Sequence, residues 1–171
     1  MKPKILFLGG GHRKNIEFLY NKETNYKNPK IVNIDINELC KPDILWDLTK
    51  HPLPIEDKSF DEIHAYDVLE HLAYQGDYIF FFKEFSEYWR ILKKDGIFVG
   101  SVPKKESIWS IGDPSHKRII VKENLLYLDK NFYKQCGKTK ASDFRYIWKK
   151  SFKLIGLKYT EDLMYFILQK K

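Results

Sequence analysis

Long hydrophobic runs, cysteine and arginine are what this sequence has least of. No apolar stretch approaches the ~18 residues needed to cross a bilayer. The apolar run in the start, MKPKILFLGGG, is shorter than the ~7–15 residues of a secretory signal. A soluble, cytoplasmic protein with no membrane partner is the expectation. The two cysteines, Cys40 and Cys136, lie far apart without a CxxC context, so free thiols are expected rather than a bridge, a nucleophile or a metal pair. His12, His51, His64, His71 and His116 show no HExxH or other metal-ligand spacing, and no metal is expected. Only Arg13, Arg90, Arg118 and Arg145 supply arginine among 30 basic residues. Arginine is the usual reader of bases and phosphates, and the lysines are spread along the chain. The net charge of +7 therefore does not by itself make nucleic acid the direct partner.

What is present is a globular composition, 43% apolar and 31% charged over 171 residues, which fits one domain spanning 1–171 with no separate substrate domain. Lys4–Leu8 reads as a short buried strand running into glycine, Asn15–Tyr20 as a weak helix, and Ile31–Ile34 and Asp43–Trp46 as further strands. A Pro-containing loop leads to a strand near Glu62–Ala65, and DVLEHL opens a short helix that Gly76 breaks. Asp77–Lys93 carries the clearest helical spacing, with Asp77 as cap and Gly96 as a stop signal. Ile97–Val102 reads as a strand, 103–121 as a polar loop, Lys122–Tyr133 as a helix, and 134–150 as irregular. The end reads as two strands turning at Thr160–Asp162. Strand–helix alternation followed by a hairpin predicts an α/β fold: a Rossmann-like, mostly parallel sheet with a C-terminal antiparallel β-hairpin.

Such sheets bind ligands beyond the carboxyl ends of their strands. Gly9, Gly10, Gly11, Asp35, Asp47 and Asp67 all follow predicted strands, along one edge. Glycines between a first strand and a helix permit positive φ and close approach of a ligand, yet glycine is also the default turn residue. Asp35 closes the second predicted strand, 24 residues after Gly11, where an acid can accept both hydroxyls of a ribose; the competing role is a strand-end cap.

The blocks ILFLGGG, IVNIDIN, DLTKHPLPIEDKSFDEI joined to DVLEHL, and ILKKDGIF resemble the class I S-adenosylmethionine-dependent methyltransferases over about residues 4–103. The resemblance implies S-adenosyl-L-methionine as cofactor, with S-adenosyl-L-homocysteine as product. It implies that Gly9, Gly10 and Gly11 line the methionine and ribose side, and that Asp35 binds the ribose with Ile36 against the adenine. Asp47 would bond the adenine amino group beside Leu48, and the backbone around Tyr66 and Asp67 would lie near the methionine. Two positions depart from the pattern. Phe7 stands where the family has an acid, and Arg13 where it has a third glycine. The chain is also small for the family and starts at its first strand, so the pocket is expected to be open, or to be completed by a second copy in a homodimer.

Methyl transfer to oxygen or nitrogen calls for alignment and often a base, a role that suits histidine. The stretch WSIGDPSHKRII offers His116 as base or substrate ligand, with Asp113 orienting it or binding substrate. Similar DPxHxR segments occur in relatives that methylate sugars and other small molecules. The competing reading is an Asp-Pro turn with loop hydrogen bonds. His71 is a second candidate, Glu70 reads as a solvated face, and the Phe80–Phe82 run with Phe85, Tyr88 and Trp89 reads as core. Trp109, Tyr66 and Trp46 read as core more readily than as pocket lining. The expected activity is methyl transfer to O or N of a small-molecule or sugar-like acceptor. Alternatives are a methyltransferase acting on nucleic acid or protein, and a cofactor-binding protein without turnover. An Asn/Asp-Pro-Pro-Tyr motif for base amino groups is absent, SVPKK standing in its place, and a nicotinamide oxidoreductase would need a G-x-G-x-x-G that is not here.

Overall fold

The computed structural model describes residues 3–12 and 29–171, so Arg13 and the helix expected over Asn15–Tyr20 lie outside the described residues. Seven strands form one sheet: β1 (Lys4–Leu8), β2 (Lys30–Asp35), β3 (Ile44–Leu45), β4 (Phe60–Tyr66), β5 (Leu92–Pro103), β6 (Phe152–Tyr159) and β7 (Leu163–Lys170). Their order is β3-β2-β1-β4-β5-β7-β6. The first five are parallel, β7 runs antiparallel to β5, and β6 pairs antiparallel with β7. The expected mostly parallel sheet with an antiparallel terminal hairpin is thus observed. Strand order reverses between β1 and β4, which puts the ligand crevice of such a sheet at their carboxyl ends.

β1 is apolar along its length because both its faces are covered; Ile5, Leu6, Phe7 and Leu8 are at most 1% exposed. In β4 the period of two sorts apolar Ile63 and Ala65 from a polar file of Glu62, His64 and Tyr66. That file is buried and bonded to itself, with His64 Nε2 2.7 Å from Glu62 Oε2 and His64 Nδ1 2.8 Å from the Tyr66 hydroxyl. Helix α1 (Tyr78–Ile91) begins as expected, the Asp77 carboxylate accepting from Phe80 N at 2.9 Å. It buries Phe82, Phe85, Tyr88 and Ile91 against the sheet.

Several expected boundaries move. The chain turns from α1 directly into β5 at Leu92, where a register shift opposite Phe60 and Glu62 absorbs Lys93–Gly96. DVLEHL makes only a 3₁₀ turn at Leu69–His71, since Val68 offers no side-chain cap and Asp67 takes φ +56°. The expected third strand shrinks to Ile44–Leu45, Asp43 instead accepting from Asn33 N at 2.7 Å. The polar loop 103–121 contains one short helix, α2 (Trp109–Gly112). The helix expected over Lys122–Tyr133 divides into α3 (Lys122–Leu126) and a 3₁₀ stretch, Lys130–Gln135, because the Asp129 side chain caps the second piece at Asn131 N. No described helix is long and apolar enough to cross a membrane, and both cysteines are free.

Two sites test how this core is held. A Cβ at Gly100 would lie 2.4 Å from the Phe166 ring, itself stacked on Phe98. Gly100→Ala should therefore lower stability by about 1–3 kcal/mol in urea unfolding, with partial recovery when Phe166→Leu is added. The fully buried Glu84 of α1 is met by Arg118 Nη2 at 2.8 Å. Arg118→Leu, which strands that carboxylate, should cost about 3–5 kcal/mol, and the double change with Glu84→Leu should cost much less.

Candidate functional site

The site is built on the carboxyl ends of β1, β2, β3 and β4. Leaving β1, the chain turns over Gly9, whose N–H donates to Ile34 O at 2.8 Å. Gly10 N–H reaches Asn33 Oδ1 at 3.2 Å, and Gly11 N–H reaches Asp35 Oδ2 at 2.8 Å. The three glycines answer different demands. A Cβ on Gly9 would sit 2.7 Å from Val68, and one on Gly10 would sit 2.7 Å from Asn33 and 2.9 Å from Phe7. A Cβ on Gly11 would meet nothing within 4 Å, though its φ of +55° still favours glycine. Gly9 and Gly10 are thus packing requirements, and Gly11 presents open backbone to the crevice.

Asp35 is 8% exposed and its second oxygen accepts from Asn37 N at 2.8 Å. It therefore does act locally as a cap, and its carboxylate keeps lone pairs beyond these two donors. Ile36, next in sequence, is exposed. Asp47 closes a turn, accepting from the N–H and hydroxyl of Thr49, and these bonds hold its carboxyl below the usual carboxylate range. Leu48 beside it is buried. Trp46 is tied to the same edge through its N–H to Asp35 O and its indole N–H to Lys50 O. At the end of β4, Tyr66 is buried edge-on against Phe7, ring centroids 6.0 Å apart. Asp67 N–H donates to Ser101 O, and Asp67 Oδ1 accepts from Ser101 Oγ at 2.9 Å. Phe7, in the place of an acid, is a core residue filling the space beneath Gly10 and Tyr66.

Beyond Asp67 the 3₁₀ turn meets the loop that follows β5. The N–H groups of Lys117 and Arg118 donate to Glu70 O at 2.8 and 3.3 Å, and Arg118 Nε donates to Leu69 O at 2.7 Å. This docking brings His116 onto His71, ring centroids 4.6 Å apart and nearly perpendicular. His116 Nε2 lies 3.9 Å from Asp113 Oδ2 and 4.0 Å from Glu70 Oε1, near both carboxylates and hydrogen-bonded to neither. Asp113 is instead engaged by Ser115, whose N–H and hydroxyl both donate to Oδ1, at 2.8 and 2.5 Å. The Ser115 oxygen also lies 3.1 Å from His71 Nδ1.

Glu70 corrects the sequence reading. It is not a solvated face: it is 2% exposed, and neither side-chain oxygen has a hydrogen-bond partner among the described residues. Burial pushes its carboxyl up to about 8, opposed in part by its own backbone N–H and by Arg118. Burial also lowers His71, helped by the neighbouring His116. Glu70 and Ser115 were the members sequence reasoning missed. No local spacing signals them, since His71 and His116 stand 45 residues apart in the chain. Trp109 is exposed rather than core or pocket wall, and Arg118 is structural. Alongside, an aromatic cavity of about 280 Å³ opens between the start of α1 and α3, lined by Tyr74, Tyr78, Phe81, Tyr127 and Phe144 with Arg118 at its wall.

The sequence matches no protein-family model and no curated protein. Its fold does match solved structures. A S-adenosylmethionine-dependent methyltransferase of Archaeoglobus fulgidus aligns at TM-score 0.60 and 17% identity, over 98% of this chain and 86% of that one. The PH0226 protein of Pyrococcus horikoshii OT3 aligns at 0.55 and 16%, over 100% and 83%. The 1,6-didemethyltoxoflavin-N1-methyltransferase of Burkholderia thailandensis, with bound 1,6-didemethyltoxoflavin and S-adenosylhomocysteine, aligns at 0.56 and 11%, over 99% and 71%. At these identities the likeness is one of architecture, and the architecture is the Rossmann-like fold of the class I S-adenosylmethionine-dependent methyltransferases.

Proposed function

We propose that this protein is an S-adenosylmethionine-dependent methyltransferase acting on an oxygen or nitrogen of a small-molecule or sugar-like acceptor. The observation that carries the reading is the bond from Gly11 N–H to the Asp35 carboxylate at the switch point, beside glycine backbone with open space where a side chain would stand. The reading places an adenosyl group there. The lone pairs left on Asp35 accept its ribose hydroxyls, Ile36 and Leu48 flank the adenine, and Asp47 accepts from the adenine amino group. Gly9, Gly10 and the backbone of Tyr66 and Asp67 border the methionine end. Bound there, the cofactor supplies an electrophilic methyl carbon whose bond to sulfur breaks, the electron pair leaving on sulfur, as the acceptor's bond forms.

The remaining residues serve the acceptor. His116 faces it as base or ligand, with Asp113 beside it, and the aromatic cavity next to Arg118 suits an apolar or sugar-like body. The lysines do not gather into a patch in the sequence, which supports a small acceptor over nucleic acid. A second reading, cofactor binding without turnover, is favoured by Phe7, whose buried ring removes an acid otherwise expected near the methionine ammonium.

Two measurements test the proposal. S-adenosylhomocysteine at about 100 times its Kd should raise stability by about 2.7 kcal/mol, read as a Tm increase of roughly 5–10 °C for a domain this size. NAD and NADP should leave Tm unchanged, and Asp35→Ala should remove the shift; no shift in the unsubstituted protein would sink the reading. Against a panel of hydroxyl- and amine-bearing small molecules, His116→Ala should reduce methyl transfer by at least ~100-fold while S-adenosylhomocysteine still raises Tm. Cofactor binding with no transfer to any acceptor would favour the second reading.

A further inference from the structure

We propose that Glu70, His71 and His116 hold a divalent first-row transition-metal ion, and that this ion binds a hydroxyl oxygen of the acceptor. The metal site stands on the geometry alone; its role toward the acceptor rests on the methyl-transfer reading above.

Each of the three residues brings one ligand atom within 4.8 Å of the others. Metal bonds of about 2.1 Å would hold such atoms roughly 3–3.5 Å apart, a contraction that side-chain rotation supplies. The decisive member is Glu70. A carboxyl group 2% exposed with both oxygens unpartnered among the described residues is a costly arrangement that an ion would complete. Arg118, the cation whose charge acts on Glu70, spends its hydrogen bonds elsewhere, its Nε on Leu69 O and its Nη2 on Glu84.

The histidines are arranged to present lone pairs. Ser115 has one hydroxyl proton and gives it to Asp113. His71 Nδ1, 3.1 Å from the Ser115 oxygen, must then be the donor in that contact, which leaves His71 Nε2 unprotonated and available. A metal-bound imidazole characteristically has its other nitrogen bonded in this way to an outer carboxylate or hydroxyl. His116 Nε2 points between Glu70 and Asp113 at distances too long for hydrogen bonds and suited to an ion in the gap.

Two imidazoles and one carboxylate favour zinc, cobalt, iron or manganese over magnesium or calcium. Three protein ligands leave coordination positions open, as in catalytic sites. The cluster begins three residues after Asp67, at the carboxyl end of β4, hence on the ligand edge of the sheet. An ion there would bind an acceptor hydroxyl and lower its pKa, the proton leaving to solvent. His116 would then be a ligand rather than the base. Acceptors with two adjacent oxygens, able to chelate, would be preferred.

The test is a titration of the chelator-treated, dialysed full chain with Co²⁺, followed by its visible d–d absorption and then by displacement with Zn²⁺. One equivalent should bind, without thiolate charge-transfer bands. Glu70→Ala and His116→Ala should each weaken binding by about 100-fold, and Ser115→Ala, which leaves the ligands in place, by about 10-fold. Far-UV circular dichroism and a cooperative thermal unfolding transition establish that the variants fold. Absence of stoichiometric uptake, or uptake that neither ligand variant weakens, would overturn the metal site. Uptake as expected in a protein that S-adenosylhomocysteine does not stabilise would keep the site and overturn its role in methyl transfer.

Discussion

One buried guanidinium, Arg118, holds the loop that carries Asp113 and His116 against the rest of the fold. It is 7% exposed and joins three segments distant in sequence: its own loop, the turn after β4 through Leu69 O, and α1 through Glu84. Glu84 is held on its other side by the Tyr88 hydroxyl at 3.1 Å. Burial pushes that carboxyl up, while Arg118 and Tyr88 pull it back down. Such a pair adds little net stability over an apolar replacement, because desolvation consumes most of the attraction. Its value is directional. A planar fork with fixed donor angles permits one docking of the 113–120 loop, and the backbone bonds from Lys117 and Arg118 to Glu70 O follow from it. His116 lies two residues from Arg118 on this docked loop and so reaches Glu70 and His71.

At the other end of the crevice the controlling quantity is space. Gly9 and Gly10 are required by Val68, Asn33 and Phe7, so two of the three glycines would be needed with no ligand at all. Of these three, Gly11 has no described atom within 4 Å of where a Cβ would stand, and it is Gly11 that donates to Asp35. That bond joins the β1 loop to the end of β2, so the carboxylate and the open backbone are positioned as one unit. Asp67, at φ +56° without being glycine, lies across the same switch point and is held there by Ser101 from both its N–H and its carboxylate. Left-handed conformations of this kind cost of order 1–3 kcal/mol and persist where surrounding bonds over-determine them.

Most of the sheet was legible in the sequence because its strands announce themselves locally: β1 is apolar from Ile5 to Leu8 under cover on both faces, and the terminal hairpin alternates around a polar turn. The Asp77 cap and the apolar face of α1 were legible for the same reason. Errors fall where tertiary contacts decide. Lys122–Tyr133 has one helical spacing, yet Asp129 caps a fresh turn in its middle. Glu70 has the composition of a solvated position and is covered by a loop, His116 to Arg118, arriving from more than 40 residues downstream. Asp113 and His116 come from one loop and end 3.9 Å apart without a hydrogen bond, Asp113 being held by Ser115. Their convergence with Glu70 and His71 is a product of the Arg118 docking, and no periodicity records it.

Two buried carboxylate–histidine pairs stand close in this chain, and the fold treats them in opposite ways. Glu62 and His64 lie side by side on β4, 2.7 Å apart, with Tyr66 closing the other imidazole nitrogen. Glu70 and His116 are 4.0 Å apart, with both Glu70 oxygens and His116 Nδ1 unpartnered among the described residues. An unmade bond of this kind costs about 1–3 kcal/mol, a substantial share of the 5–15 kcal/mol that holds a domain together. The sheet shows that the same residue types can be satisfied within a few ångströms of each other when only packing is at stake. The open pair lies where the crevice is and the closed pair runs through the sheet. The proposed ion would complete the second pair as Tyr66 completes the first, so the proposal also accounts for an arrangement that packing alone leaves unsatisfied.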